Sequence, residues 1–371
     1  MLRHITYSFL FSVLVGLIGC TSKFDLGTIP QGGPRESRDT VYVENETAVW
    51  RGFNEPRALL VGNDGLFYVA DYGKNRIVLI NSGGQFLGSR GFMHPTAIGQ
   101  DSRLDLLIAA ELVRTTGDTV GAIFRFHVVR DRQGNFYGHD HFATAPIETI
   151  WTEASRPARR FSGIAVLPNN QFLVARSGPD NTSFIDPDAR VLLYNSGDTL
   201  LTPLSDLITR SPAGSGITDI NKPTGLIPFS GKRDFILTQS SDGGIVYGVV
   251  WMVYQLTAEF DGWVPKFDPT QPGSQSLDFV RPARFVEASG AAIDRAKGDI
   301  FVVDAQLDSI VKFDSKGRLR KESFGNALAK TTEFPDGLRN PRGVAFYLKT
   351  LYVVDTGHNV IRLFNLSTDL F

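Results

Sequence analysis

One pattern of short strands and turns recurs along the chain, and it constrains the fold more than any other feature. The segment Pro56–Ile80 begins with an apolar strand, continues through a turn into a strand ending at Asp71, and finishes with a Gly/Asn turn and a third strand. Pro341–Phe364 repeats this order closely, and Gly290–Asp314 repeats it well. Self-similarity of this kind indicates a repeat architecture in which each unit is one small sheet. Three weaker copies begin at His94, Phe161 and Lys222.

A small residue occupies the same place in every copy. Each unit alternates apolar and polar residues along short strands, so it cannot bury its apolar face alone. A radial arrangement buries both faces of every sheet against its neighbours and leaves only short edges. The sequence therefore predicts an all-β fold, a six-bladed β-propeller. The aligned small residues are Ala58, Ala97, Gly163, Gly225, Gly290 and Gly343.

The last copy lacks an outer strand, which indicates how the ring closes. Too few residues follow Asn365 to form one, whereas Thr40–Trp50 is strand-like and belongs to no repeat. We expect this N-terminal segment to pair with the last blade, because such pairing removes two exposed strand edges at once. The alternative is an unrelated N-terminal hairpin.

The repeats resemble those of the NHL-repeat family, whose blades read roughly Pro-x-Gly-Val-Ala-Val…Tyr-Val-Ala-Asp-x-Gly-Asn-x-Arg-Ile. The first and last copies match closely and the middle three match mainly by pattern, over residues 54–371. The resemblance implies a six-bladed NHL- or TolB-like propeller and says little about chemistry.

The N-terminus reads as an export signal with a lipid attachment site. Met1–His4 carries a basic residue, Ile5–Ile18 is apolar, and a small residue precedes Cys20. The apolar run is shorter than the roughly 18 to 20 residues of a spanning helix. Leu17-Ile18-Gly19-Cys20 resembles the lipobox of bacterial lipoproteins, which implies acylation of Cys20; the alternative is a plain signal peptide. We expect a signal peptide at 1–19, a lipidated Cys20 with a flexible tether to residue 40, and the propeller at 41–371.

Composition excludes two function classes. The chain has 38 Lys and Arg against 39 Asp and Glu, for a formal net charge of −1. Nucleic-acid binding depends on neutralising phosphates, so this balance argues against it. A chain with one cysteine cannot form an internal disulfide, so a disulfide-stabilised scaffold is the second class excluded.

Polar residues just before the aligned small residues form the candidate site. Residues two apart on a strand share a face, so the positions three and one before each small residue are expected to face the same channel mouth if the entry to the strand is extended. We name the first set the rim positions and the second the neck positions. The rim positions are Glu55, His94, Arg160, Lys222, Glu287 and Asn340. The neck positions are Arg57, Thr96, Ser162, Thr224, Ser289 and Arg342.

The cations of this ring favour an anionic ligand, since arginine can grip a carboxylate or phosphate with two hydrogen bonds. We predict ligand binding by Glu55, Arg57, His94, Arg160, Lys222, Glu287 and Arg342. The alternative is a solvated rim whose charges satisfy one another.

Metal chemistry is the competing hypothesis. An amidoglycolate lyase of this architecture resembles the chain in its repeats and holds zinc with three histidines, but only His94 occupies such a place here. A calcium site of the lactonase-like kind would draw on Glu55 and Glu287. In an extended segment, His139-Asp140-His141 would place two imidazoles on one side, where they could bind a transition metal. The alternative is that both are solvated loop histidines without a metal. We expect no resident cofactor, or else one divalent Ca or Zn ion.

Other features are assigned structural roles. Asp71, Asp304 and Asp355 end the second strand of three blades and are expected to cap turns. Residues 127–158 and 176–190 are expected to be added loops, Ile245–Tyr254 a buried strand, and the Arg156–Arg160 cluster a solvated loop.

Together these features predict a lipid-anchored, monomeric propeller in the bacterial cell envelope, most simply at the outer membrane. We expect a binding scaffold for a protein segment, a glycan or an anionic small molecule at the channel mouth. A metal-dependent lyase or hydrolase is the alternative.

Overall fold

The computed structural model describes residues 40–369, except 132, 184, 206, 208–214 and 271–277. The signal peptide, Cys20 and nearly all of the tether expected from the sequence lie outside these residues. Within the described part of the chain, no helix is long and apolar enough to cross a membrane.

The described strands form six antiparallel sheets, which are the six blades expected from the repeats. The first strands in chain order are β1 (Tyr42–Glu44), β2 (Pro56–Val61), β3 (Phe67–Asp71), β4 (Arg76–Ile80), β5 (Phe86–Gly91), β6 (Met93–Gln100), β7 (Leu106–Val113), β8 (Thr119–Phe126), β9 (Ile147–Thr152), β10 (Arg160–Val166), β11 (Phe172–Ser177) and β12 (Arg190–Tyr194). The remaining strands are β13 (Leu200–Pro203), β14 (Pro223–Pro228), β15 (Phe235–Gln239), β16 (Val249–Leu256), β17 (Asp261–Pro265), β18 (Ala288–Ile293), β19 (Ile300–Asp304), β20 (Ser309–Phe313), β21 (Pro341–Tyr347), β22 (Thr350–Asp355) and β23 (Val360–Leu366).

The blades follow one another along the chain. Blades 1 to 4 are β2–β5, β6–β9, β10–β13 and β14–β17, each in sequential order. Blade 5 is β18–β20, and blade 6 is β21–β23 completed by β1. The innermost strands β2, β6, β10, β14, β18 and β21 pack beside one another in turn, and β21 returns to β2. The six-bladed propeller is therefore a closed ring.

The ring closes through the N-terminal segment, as the missing outer strand of the last repeat predicted. Tyr42 pairs with Leu366 and Glu44 with Phe364, and Trp50 forms a further bridge with Ile361. The pairing strand is shorter than the Thr40–Trp50 segment, because a 3-10 turn at Glu46–Ala48 interrupts it. The expected closure is confirmed.

The core lies between the blades. Every residue of β3, β15 and β19 is buried. A strand in the middle of a blade has a neighbouring blade on each side, so both of its faces are covered. This double burial explains why the middle strands read as nearly continuous apolar runs.

Three local expectations differ from the structure. The insertion expected at residues 127–158 ends at residue 146, because Ile147–Thr152 is the regular outer strand β9 of blade 2. The expected strand at residue 245 begins only at Val249. In blade 5 the chain after β20 makes bridges through Leu319 and Phe324 instead of a regular fourth strand.

Candidate functional site

The aligned small residues lie where neighbouring inner strands approach most closely. A Cβ atom added to Gly163 would lie 2.5 Å from the backbone nitrogen of Leu226 in the next blade. One added to Gly290 would lie 2.9 Å from the carbonyl oxygen of Arg342. Side chains are excluded at these positions because the neighbouring backbone occupies the space. The small residues therefore mark one level of the channel wall, and the neck and rim positions lie just beyond it.

Three rim residues are fixed by the turn of the preceding blade. Glu55, His94 and Asn340 have positive φ angles of 47°, 43° and 48°, a conformation that costs energy for residues other than glycine. In each case a side-chain oxygen of the preceding blade accepts the backbone N–H. The pairs are Glu55 with Asn359 at 2.6 Å, His94 with Asn75 at 3.0 Å, and Asn340 with Asp308 at 2.7 Å. An Asn or Asp in the turn of one blade thus positions the rim residue of the following blade.

At four neck positions a hydroxyl group joins one blade to the next. Ser162 Oγ donates to the carbonyl oxygen of Pro223 at 2.6 Å, and Ser289 Oγ donates to that of Pro341 at 3.0 Å. Thr96 Oγ1 donates to the carbonyl oxygen of Phe161 at 2.7 Å, and Thr224 donates to that of Ala288 in the same way. These hydroxyls satisfy backbone groups at the blade junctions. The structure thus gives them a role in holding the ring together.

Arginine replaces the hydroxyl at the two remaining neck positions, and these belong to adjacent blades. Arg342 is the second residue of β21 in blade 6, and Arg57 is the second residue of β2 in blade 1. The junction between these two blades takes its hydroxyl from elsewhere, since Thr356 Oγ1 donates to the carbonyl oxygen of Pro56 at 2.6 Å. Both arginine side chains are left to line the channel.

Arg57 is held by an aromatic ring and keeps an unused donor. Its guanidinium carbon lies 3.3 Å from the centre of the Tyr72 ring. The Tyr72 ring also stacks on the His94 ring, with the two ring centres 4.5 Å apart. The Arg57 Nε atom is buried and has no hydrogen-bond partner among the described residues. Burial lowers the pKa of this guanidinium, and the positive charge of Arg342 adds to the shift. The two arginines therefore act electrostatically on the same region of the neck.

The other cations of the mouth, at neck and rim positions alike, are paired with acids. Arg342 Nη1 lies 3.0 Å from Glu287 Oε1, and Lys222 Nζ lies 3.0 Å from Asp242 Oδ2. The nearest acid to Arg57 is Glu55, at a longer 3.9 Å. The Lys222 pair is more than half exposed, so solvent screens it strongly. Both signs of charge are present at the mouth, and Arg57 has the weakest ion pair of these.

Glu111 joins His94 to Arg160, two rim residues of neighbouring blades. Its Oε2 lies 3.3 Å from His94 Nδ1, and its Oε1 lies 3.0 Å from Arg160 Nε. Burial alone would raise the pKa of Glu111, but hydrogen bonds from Thr119 and His94 and the charge of Arg160 outweigh it and lower the pKa. Glu111 therefore stays ionised at neutral pH.

The structure brings all seven predicted ligand-binding residues to the same end of the inner strands. Sequence reasoning missed Tyr72, Glu111 and Asp242, which contact Arg57, His94 and Lys222. These three come from the second strand or the turn after it, while the alignment considered only the start of each first strand. Tyr72 directly follows Asp71, the acid that ends the second strand of the repeat. Its place next to that acid could have identified Tyr72 from the sequence.

The residues considered for metal binding do not fit a common site. Glu55, His94 and Glu287 contact Arg57, Glu111 and Arg342 respectively. Each of them belongs to a different blade. In the described part of the chain, no group of three or more His, Cys, Asp or Glu side chains could hold a metal ion.

The other histidines have partners outside the mouth. His139–His141 forms a 3-10 turn and not the expected extended segment. His139 Nε2 lies 3.1 Å from Asp64 Oδ2, whereas His141 Nδ1 lies 3.2 Å from the carbonyl oxygen of Tyr137. His127 is buried between Asp105 and Glu148. The alternative of solvated loop histidines for His139 and His141 is right for the exposed His141 and wrong for His139, which is partly buried against Asp64.

The Arg156–Arg160 cluster contains a buried ion-pair network. Arg159 is 3% exposed and bonds Asp188 Oδ1 at 2.7 Å and Asp186 Oδ2 at 2.8 Å. Arg176 bonds Asp186 Oδ1 at 2.8 Å and Glu153 Oε1 at 3.1 Å. The expectation of a solvated loop is therefore wrong at Arg159, whose partners fasten the loop after β11 to blade 3.

The three strand-ending acids are buried hydrogen-bond acceptors, but they do not all cap turns. Asp71, Asp304 and Asp355 are fully buried. Asp304 accepts the backbone N–H of Leu307 in the turn that follows it, at 2.9 Å. Asp71 and Asp355 make no side-chain hydrogen bond to the turns after them and instead accept the backbone N–H groups of Asn54 at 2.7 Å and Arg339 at 2.9 Å. The expected turn-capping role is therefore confirmed for Asp304 and wrong for Asp71 and Asp355.

The central channel contains a cavity of about 960 Å³. Its wall includes both neck arginines, the aligned small residues, and apolar side chains farther along the inner strands. A second, shallower recess lies at the mouth and is lined in part by Lys222, Asp242 and Glu287. The predicted site therefore lies where the recess at the mouth adjoins the channel cavity.

The fold is similar to solved propellers of low sequence identity. An auxiliary nutrient binding protein from Bacteroides thetaiotaomicron aligns over 85% of this chain and 70% of its own, with a TM-score of 0.56 and 11% identity. A gluconolactonase from Xanthomonas campestris aligns over 88% and 94%, with a TM-score of 0.54 and 11% identity. A luciferin-regenerating enzyme aligns over 88% and 95%, with a TM-score of 0.55 and 12% identity.

At such identities the likeness concerns the fold and not the activity. No protein-family model matches the chain, and no curated protein matches its sequence.

Proposed function

We propose that this chain is a lipid-anchored binding propeller of the bacterial envelope, with an anion site at the mouth of its channel. Its ligand is a protein segment, a glycan or a small molecule that presents a carboxylate or phosphate. The proposal depends on one observation: arginine replaces the junction hydroxyl at two adjacent neck positions, Arg57 and Arg342.

Several features of this pair support anion binding. Stacking on Tyr72 holds the Arg57 guanidinium in place, and Glu287 holds that of Arg342. Arginines fixed in advance lose little conformational entropy when a ligand binds. The Arg57 side chain is partly exposed and its ion pair with Glu55 is long, at 3.9 Å, so its charge is left available to an anionic ligand.

The binding role also agrees with one fold neighbour, which is described as an auxiliary nutrient binding protein. Binding at the mouth of a propeller needs only a preformed surface, with specificity set by the charges of the rim. We expect the protein to act as a monomer, with the membrane as its other contact through the lipid anchor.

Binding of inorganic phosphate and of glucuronate, measured by isothermal titration calorimetry, tests the anion site. Arg57→Gln and Arg342→Gln should each weaken binding by about 1.5 to 3 kcal/mol, the range for hydrogen bonds to charged groups. Arg318→Gln is the matched control, because Arg318 is an exposed arginine paired with Asp314 in a turn at the other end of its blade. Equal affinities for all three variants would refute the anion site.

The anchor is tested separately. Acylation of Cys20 at the lipobox-like Leu17–Cys20 should retain the protein with the membrane fraction, because two or more acyl chains anchor a protein stably. Cys20→Ser should release it or block its processing. Unchanged membrane retention of the Cys20→Ser variant would contradict lipidation.

The competing proposal is a metal-dependent lyase or hydrolase acting at the same mouth. It is favoured by the likeness to a solved gluconolactonase. Elemental analysis of the purified protein separates the two proposals. One equivalent of tightly bound calcium or zinc in the purified protein would favour the enzyme over the binding scaffold.

A further inference from the structure

Just beyond the neck the channel wall is mainly apolar, whereas its far end carries charged residues such as Arg295 and Lys297. Inner strands of five blades each contribute a half-buried apolar side chain that lines the cavity, two or three residues after the aligned small residue. We name this set the apolar belt. Its members are Leu60, Val166, Ile227, Ile293 and Phe346.

The wall between the neck and the belt offers few free polar side chains. The hydroxyls of Thr96, Ser162 and Ser289 are already donated to carbonyl groups of the next blade. The aligned residues that follow are alanine or glycine. A ligand passing this level therefore meets small residues and then the belt.

The belt lies between two charged ends of the cavity, with the neck arginines at one end and residues such as Lys297 at the other. Belt residues lie three or four positions after the neck residues, which corresponds to about 10 Å or slightly more along a strand at 3.3 Å per residue. Arg57 and Arg342 stand at one end of that distance and the belt at the other. A cavity of about 960 Å³ is large enough for a drug-sized ligand.

From this arrangement we infer that the ligand is an amphipathic carboxylate, whose acid group binds Arg57 and Arg342 and whose apolar body lies against the belt. The inference rests on the proposed anion site and adds the chemical class of its ligand. It differs from a purely polar anion such as glucuronate, which would leave the belt in contact with water.

Calorimetry with acetate, butyrate, octanoate and decanoate in detergent-free buffer tests the inference. Affinity should rise by about twofold to fourfold per methylene, because a fully buried methylene is worth about 0.8 kcal/mol. Arg57→Gln and Arg342→Gln should weaken all four acids by a similar factor. Lys297→Gln is the matched control, since Lys297 is an exposed base that lines the opposite end of the cavity.

Belt variants provide the second readout. Ile227→Thr should reduce the gain per methylene while leaving the affinity for acetate unchanged, because only longer acids reach the belt. Val166→Thr, which is nearly isosteric, serves the same purpose if Ile227→Thr does not fold.

The outcomes distinguish this inference from the proposed function. Arginine-dependent binding that is equally tight for acetate and decanoate would overturn the amphipathic ligand and leave the anion site standing. A chain-length effect that depends on Lys297 and not on Arg57 would overturn the orientation inferred here. Absence of binding by every acid at millimolar concentration would overturn both.

Discussion

The buried ion pair that closes the ring yields a quantitative prediction. Arg362 in β23 is fully buried, and its Nε donates to Glu44 Oε1 of β1 at 2.8 Å. A second guanidinium nitrogen donates to Glu44 Oε2, and a third lies 3.1 Å from Asp355 Oδ2. The pair therefore connects the first strand of the chain to the last across the seam of blade 6.

Glu44→Ala should lower the free energy of unfolding by about 3 to 5 kcal/mol, because it leaves a buried guanidinium without its main partner. Asp355 remains nearby, so we expect the lower part of this range. The domain as a whole is expected to be stable by only about 5 to 15 kcal/mol. Loss of this pair would therefore remove a large share of the stability of the ring.

Urea unfolding followed by tryptophan fluorescence measures the effect, since Trp50 packs at the same seam. Glu333→Ala is the matched control, because the Arg51–Glu333 pair is half exposed and should contribute less than about 1 kcal/mol. The double variant Glu44→Ala, Arg362→Met should recover only part of the loss, because Asp355 and the carbonyl groups of Gly337 and Ala329 then lose the guanidinium as a donor. A loss in Glu44→Ala no larger than in Glu333→Ala would refute the reasoning.

Three further predictions concern the packing of the ring and its response to acid. Thr224→Val should cost about 1 kcal/mol in urea unfolding, the value of one hydrogen bond at a blade junction; no change would contradict the bridging role. Gly163→Ala should cost about 1 to 3 kcal/mol because its Cβ would overlap the next blade, whereas Gly91→Ala, whose nearest neighbour is 4.0 Å away, should be nearly neutral. Burial alone would raise the pKa of Asp64, but hydrogen bonds, first that from His139, outweigh it and lower the pKa. The stability that the lowered pKa provides is present above about pH 4, the usual pKa range of Asp, and is lost as the pH falls further. Asp64→Asn should therefore lose less stability below pH 4 than the unchanged protein. Identical profiles of stability against pH for the two proteins would contradict this.

The repeats were sufficient to predict the fold and its closure. Period, turn residues and alternating strands are local properties, and each blade forms from neighbouring residues in the chain. The last repeat lacked an outer strand, and the N-terminal strand belonged to no repeat, so the sequence predicted that the two would pair. Their pairing in the structure follows from the need to cover unpaired strand edges.

The positions of the mouth residues were predictable, but their partners were not. Counting back from the aligned small residues located Arg57, His94 and Arg342, because the inner strands share one geometry. Glu111 and Tyr72 were missed since they come from other strands or turns, whose placement depends on how the blades pack. Arg159 was misassigned as solvated for the same reason: its acidic partners lie in a loop distant in sequence.

The amino-acid sequence alone thus determined that this chain makes six similar sheets and where each begins, because hydrophobic periodicity and turn chemistry act over a few residues. Only the tertiary structure decided what the polar residues do. At the neck, four hydroxyls became junction bonds and two arginines were left facing the channel, a distinction set by distances between blades. Such distances depend on the closed ring, and no local pattern in the chain contains them.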